Sequence, residues 1–162
     1  GEISLECSRP GAAAAALWTT QKLLPLARGG EFARGLERGR AAALIFYEKI
    51  EKDERFAAAF RPELDIVIFA PRAKSVSEVS TLSRRIFDAA AKRNLHLAVA
   101  EMPIVFWGAN LGAIERDRET MTCLRSVLMK PEHLEWIPRI WDELSAATAE
   151  VLGTEGTSRA AR

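Results

Sequence analysis

The segment Thr120-Met-Thr-Cys-Leu-Arg-Ser-Val-Leu-Met-Lys-Pro131 places one permanently charged side chain in the middle of a run that otherwise reads as a strand able to bury both faces. At a period of two, Met121, Cys123, Arg125, Val127 and Met129 share one face, and Leu124 and Leu128 share the other with Thr120, Thr122 and Ser126. A guanidinium keeps its proton and is costly to desolvate alone, so Arg125 is expected to meet an anion, such as a substrate carboxylate. The competing reading is an arginine whose stem lies on apolar surface while its head reaches water or a local carboxylate.

The 162 residues suffice for one ordinary domain or one domain with an appendage. Charged residues make up 28% and the net charge is +1, with basic residues spread along the chain, so nucleic-acid binding is not indicated. The most apolar run, residues 12–18, is far shorter than the roughly 20 residues of a membrane span, and no basic-then-apolar leader opens the sequence. The expectation is a soluble, cytoplasmic protein without a membrane partner. Cys7 and Cys123 form no C-x-x-C pair, so they read as small buried side chains, not a metal knuckle or disulfide framework.

Residues 2–7 alternate as a short strand would, and Ser8, Pro10 and Gly11 resemble a helix start. The alanine-rich helix that follows, with Leu17, Trp18 and Leu24, ends before Pro25 and the Gly29-Gly30 pair. A second, amphipathic helix is predicted over 31–51, with Phe32, Leu36, Ala43, Tyr47 and Ile50 on one side. Residues 56–60 and 64–70 flank Arg61-Pro62-Glu63 as a hairpin. Ser75-Val-Ser-Glu78 is a capping box, followed by the helical stripe Val76, Val79, Leu82, Ile86 and Ala90. Residues 95–100 form an expected strand that Pro103 interrupts and 104–107 resume, before a glycine-bearing loop over 108–118. The last helix carries Leu134, Ile137, Trp141, Leu144 and Val151, with Pro138 starting or kinking it, and 153–162 read as a polar, disordered tail.

This order predicts an α+β fold, a small antiparallel sheet with helices packed on one face. The first helix does not fit such a sandwich and would expose Trp18 if alone. No G-x-G-x-x-G, Walker loop, H-E-x-x-H or G-x-S-x-G occurs, and His96 and His133 are not spaced as metal ligands. His96 reads as a strand residue and His133 as an ordinary polar residue at a helix start; the acidic pairs read as surface.

Two separated signatures, Glu6-Cys-Ser-Arg-Pro-Gly11 leading to Leu17-Trp18 and Leu124-Arg125 leading to Lys130-Pro131, resemble the C-terminal part of the pyridoxal-phosphate-dependent group II amino-acid decarboxylases. These include aromatic amino acid, tyrosine and glutamate decarboxylases of the aspartate-aminotransferase type fold. Pro62-Glu-Leu-Asp-Ile66 matches a further strand motif of that family, while Pro10 and Lys130 depart from it. The resemblance implies that 1–30 end a large domain and form a connecting helix, that 31–152 are the C-terminal small domain, and that the complete enzyme is a homodimer acting on an amino acid. It implies pyridoxal phosphate in the complete enzyme, on a Schiff-base lysine that commonly follows a histidine. None of the six lysines here follows one, so no catalytic residue is assigned and the chain alone is not expected to be active. By resemblance Arg125 would face the substrate carboxylate, and Ser8 and Arg9 would lie near the domain junction or cofactor region. The alternatives are a non-catalytic ligand-binding or protein-interaction module, or another enzyme of this cofactor fold such as an aminotransferase.

Overall fold

The computed structural model describes residues 11–160, with side chains for 11–153. The strand expected over 2–7, the helix start at Ser8 and the Arg9 position lie outside the described residues.

The elements follow in the order α1 (Gly11–Leu23), α2 (Glu31–Lys52), β1 (Phe56–Ala58), β2 (Ile66–Pro71), α3 (Val76–Lys92), β3 (Ala98–Pro103), a 3-10 turn (Ile104–Trp107), β4 (Thr120–Val127) and α4 (His133–Ala160). The strands form one antiparallel sheet in the order β1-β2-β4-β3. The predicted hairpin is present, pairing Phe56 with Pro71 and Ala58 with Phe69. β4 lies between β2 and β3, which therefore run parallel to each other with α3 as their crossover.

Local chemistry explains the α3 boundaries. Ser75 Oγ accepts from the Glu78 N–H at 3.2 Å, and Glu78 Oε2 accepts from the Lys74 N–H at 2.9 Å, so the cap satisfies a free first-turn donor and fixes the chain entering it. At the other end Asn94 takes a left-handed φ of 59°, while the Leu95 N–H reaches back to the Ala90 carbonyl at 3.0 Å. That turn stops the helix and redirects the chain toward β3.

The helices cover one sheet face. α4 packs against both α2 and α3. Beneath them Phe46, Phe56, Phe69 and Trp141 meet edge to face, with ring centroids 5.6 to 6.3 Å apart. Ile50, Ile86, Leu124, Leu128, Ile137 and Leu144 complete this core. Arg55 ties the α2–β1 corner to α4: it grips Asp53 through Nε at 2.9 Å and Nη2 at 2.7 Å, and it donates to the Ser145 carbonyl at 3.3 Å. α4 continues without a break to Ala160, through the stretch that the sequence suggests is a polar tail. Pro138 is accommodated inside it, so it neither starts nor ends the helix.

The opposite face departs from expectation. Residues 104–107 do not resume a strand but coil into the 3-10 turn, which carries Trp107 into a second apolar cluster with Ala57, Ala70, Val79, Met121 and Cys123. Pro103 ends the β3 ladder, and an apolar run too short to choose its own state is then decided by what it can cover. The rest of the loop is clamped down by Asn110, whose Nδ2 donates to the Ala58 and Ala59 carbonyls at 3.0 and 3.1 Å. His96 likewise sits in the connector before β3, not on the strand.

α1 buries none of its residues. Trp18 is 62% exposed, and Leu17, Leu23 and Leu26 are exposed with it. An alanine-rich helix of this length is marginal by propensity alone, and the burial of none of its residues adds to it.

Candidate functional site

The loop covers only one end of the second sheet face. Along β4, Met121 and Cys123 lie beneath Trp107, whereas Arg125 and Val127 emerge beyond it and are exposed. The register places Ile68 and Ala98 on either side of Arg125, and pairs Ile66 with Val127 one step further along. The site is thus a guanidinium rising from an apolar strip two residues after a fully buried thiol. Burial pushes the Cys123 thiol up to about 11, so it stays protonated and serves as packing.

One premise of the sequence reading is corrected here. The strand does not bury both faces along its whole length, because the covering loop ends short of Arg125. The guanidinium has no hydrogen-bond or ion-pair partner among the described residues and meets solvent within this chain. Its need for an anion therefore arises only when something closes over the strip.

Other apolar groups are also left exposed. Val105 and Phe106 project from the 3-10 turn at 76% and 57% exposure, and Ile66, Val127 and Met129 are also exposed. Together with α1 they give the domain more uncovered apolar surface than scattered single residues would. No membrane-crossing helix is long and apolar enough among the described residues, and no group of three or more His, Cys, Asp or Glu among them could hold a metal.

Pyridoxal phosphate needs a lysine for its covalent link and an acidic partner for its ring nitrogen. Lys22, Lys49, Lys52 and Lys92 stand on helices, Lys74 precedes α3 and Lys130 follows β4, so none lies on the sheet. Lys22 and Lys49 are instead placed over the Trp18 and Trp141 rings. The described residues do not fit the cofactor by themselves.

Sequence reasoning missed a second constellation. His96 and His133, the only histidines in the chain, line one cleft with Trp136 and Arg139. No local pattern relates the two positions, since α3 and β4 must first be placed before the connector and α4 can meet.

The fold and strip define a class: an α+β domain with an uncovered sheet end and an unpacked helix. No family model matches the sequence, and no curated protein does. Solved structures do share the fold. Tryptophan decarboxylase of Catharanthus roseus, in complex with L-tryptophan, is similar with a TM-score of 0.59 and 17% identity, over 83% of this chain and 25% of that one. The Oryza sativa TDC with PLP gives 0.58 and 18%, over 83% and 26%. The glutamate decarboxylase domain of a diaminobutyrate-pyruvate transaminase and L-2,4-diaminobutyrate decarboxylase from Vibrio parahaemolyticus gives 0.55 and 14%, over 85% and 26%. The chain has a fold found within amino-acid decarboxylases of the kind its motifs resemble, and it spans about a quarter of their length.

Proposed function

We propose that this chain acts as the small domain of a pyridoxal-phosphate-dependent amino-acid decarboxylase, closing over a cofactor held by a large domain and orienting the amino-acid substrate. The observation that carries the reading is the exposed, unpartnered Arg125 on the uncovered end of β4, in a fold shared with a quarter of several decarboxylase structures. A planar guanidinium set among Ile68, Ala98 and Val127 suits a carboxylate, which it can grip through two parallel hydrogen bonds once water is excluded. The large domain would supply the lysine that forms the Schiff base and thereby the electron sink for loss of carbon dioxide. This chain's part is to hold the carboxylate end and shed water from the strip. The exposed side of α1, with Leu17 and Trp18, would lie against that large domain, and the complete enzyme would be a cytoplasmic homodimer.

The test combines this domain with its large domain, as one polypeptide or two, and follows cofactor absorbance and carbon dioxide release over a panel of amino acids. Release only when both parts are present supports the reading. Arg125→Ala should then raise KM for the amino acid by about ten-fold or more, the cost of one charge-assisted contact. An unchanged KM removes the role assigned to Arg125. Absence of association and release with a folded large domain would leave a binding or interaction module.

A further inference from the structure

The chain's two histidines converge on a cleft of about 290 Å³ between the α3–β3 connector and one side of α4. The convergence has a structural cause. The left-handed Asn94 turns the chain out of α3 so that Leu95 and His96 line one wall. His133, Trp136, Ile140 and Glu143 recur at helical spacing and line the other.

Each wall offers something different. Trp136 is 53% exposed, and its ring lies 6.0 Å from that of His133, tilted by 55°. With Ile140 it gives a flat apolar surface for a ring system. His133 Nδ1 accepts from the Lys130 N–H in a long bond of 3.4 Å, which leaves the proton on Nε2 as a donor. Arg93 and Arg139 bring two guanidiniums. Arg93 is compensated by Glu143 at 3.8 Å and by Glu150 at 3.4 Å, whereas Arg139 has no ion-pair or hydrogen-bond partner among the described residues. One uncompensated fork lining the same cleft as an imidazole donor matches a single carboxylate better than a dianion. A metal is not the occupant these groups suit, since no set of three ligating side chains meets among the described residues.

We propose that this cleft is a binding site for a small aromatic carboxylate of one or two fused rings, with the ring against Trp136 and Ile140 and the carboxylate on Arg139 and His133. The volume is at the lower end for a ligand pocket, which suits a small ring system. The site is separate from Arg125, which does not line the cleft, and does not depend on the function proposed above.

The experiment uses the full chain and the imidazole C2–H proton signals, of which there are two because there are two histidines. Indole-3-acetate is titrated in, with indole-3-acetamide as the uncharged counterpart; His96→Gln assigns the signals. Both signals should shift saturably with the acid. The amide should bind about ten-fold more weakly or worse, as should the acid to Arg139→Ala, each having lost a charge-assisted contact. Arg139 is exposed, so the variant keeps the fold, which circular dichroism checks. Arg116→Ala, at an exposed arginine that does not line the cleft, should leave the titration unchanged. No saturable shift, equal binding of acid and amide, or an unaffected Arg139→Ala each overturns the proposal.

Discussion

Two glycines one turn apart on α2 should respond to alanine in opposite directions. A Cβ at Gly39 would lie 2.9 Å from the Leu128 carbonyl oxygen and 3.8 Å from Asp65 Cβ, where α2 crosses the end of β4. A Cβ at Gly35 would meet only Pro131 Cγ, at 3.4 Å. Both substitutions gain helix propensity, about 0.8–1 kcal/mol. At Gly35 little opposes that gain, so Gly35→Ala should stabilise the domain by about 0.5–1 kcal/mol. At Gly39 the obstacle is backbone, and it cannot swing away: Leu128 is buried, and its N–H donates to the Asp65 carbonyl at 2.8 Å. Separating α2 from β4 incurs an overpacking cost of about 1–3 kcal/mol. Gly39→Ala should therefore be destabilising by up to about 2 kcal/mol net. Urea unfolding followed by circular dichroism reads both, as a lower midpoint for Gly39→Ala and a higher one for Gly35→Ala at an unchanged slope. A Gly39→Ala variant more stable than the parent, as Gly35→Ala is expected to be, would refute the close approach of α2 to the end of β4.

Other expectations can be checked on the isolated chain. The Arg55 hydrogen bonds hold the Asp53 carboxyl below its usual range, so this stabilisation is complete above the unfolded carboxylate value of about 3.9 and is lost as pH falls further. Asp53→Asn should cost about 1 kcal/mol at pH 7 in urea unfolding, and the gap to the parent should close in acid; a gap that widens there would contradict the sign. Cys123 should resist alkylation by iodoacetamide at pH 8 in a Cys7→Ser background until the protein is unfolded, because its thiol is buried and protonated; native-state labelling would refute that. Ser75→Ala removes the α3 cap and should cost about 1 kcal/mol by thermal or urea unfolding, while Ser75→Asp should recover most of it.

Much of the architecture is written locally. The Ser75–Glu78 cap, the stripe from Val76 to Ala90 and the Asn94 stop each act within a turn or two, and α3 lies where they predict. The alternation around Leu124 likewise gives β4, and the β-branched run Ile66-Val-Ile gives β2. An apolar α1 with no partner in the sandwich was also legible, from an alanine-rich stretch whose Trp18 matches nothing else.

Non-local decisions were not. Whether Ile104–Trp107 extends a strand or coils over the second face depends on the room beside Met121 and Cys123, which exists only after β4 has paired with β2 and β3. The same pairing decides that cover stops before Arg125, so a residue expected to need an internal anion stands on an uncovered stretch of a central strand. The sequence by itself determined which residue carries the charge and which strand bears it. Only the tertiary structure decided what surrounds it, and which distant side chains, His96 and His133 among them, share a cleft, because strand order and loop cover arise from contacts between remote segments that no local periodicity encodes.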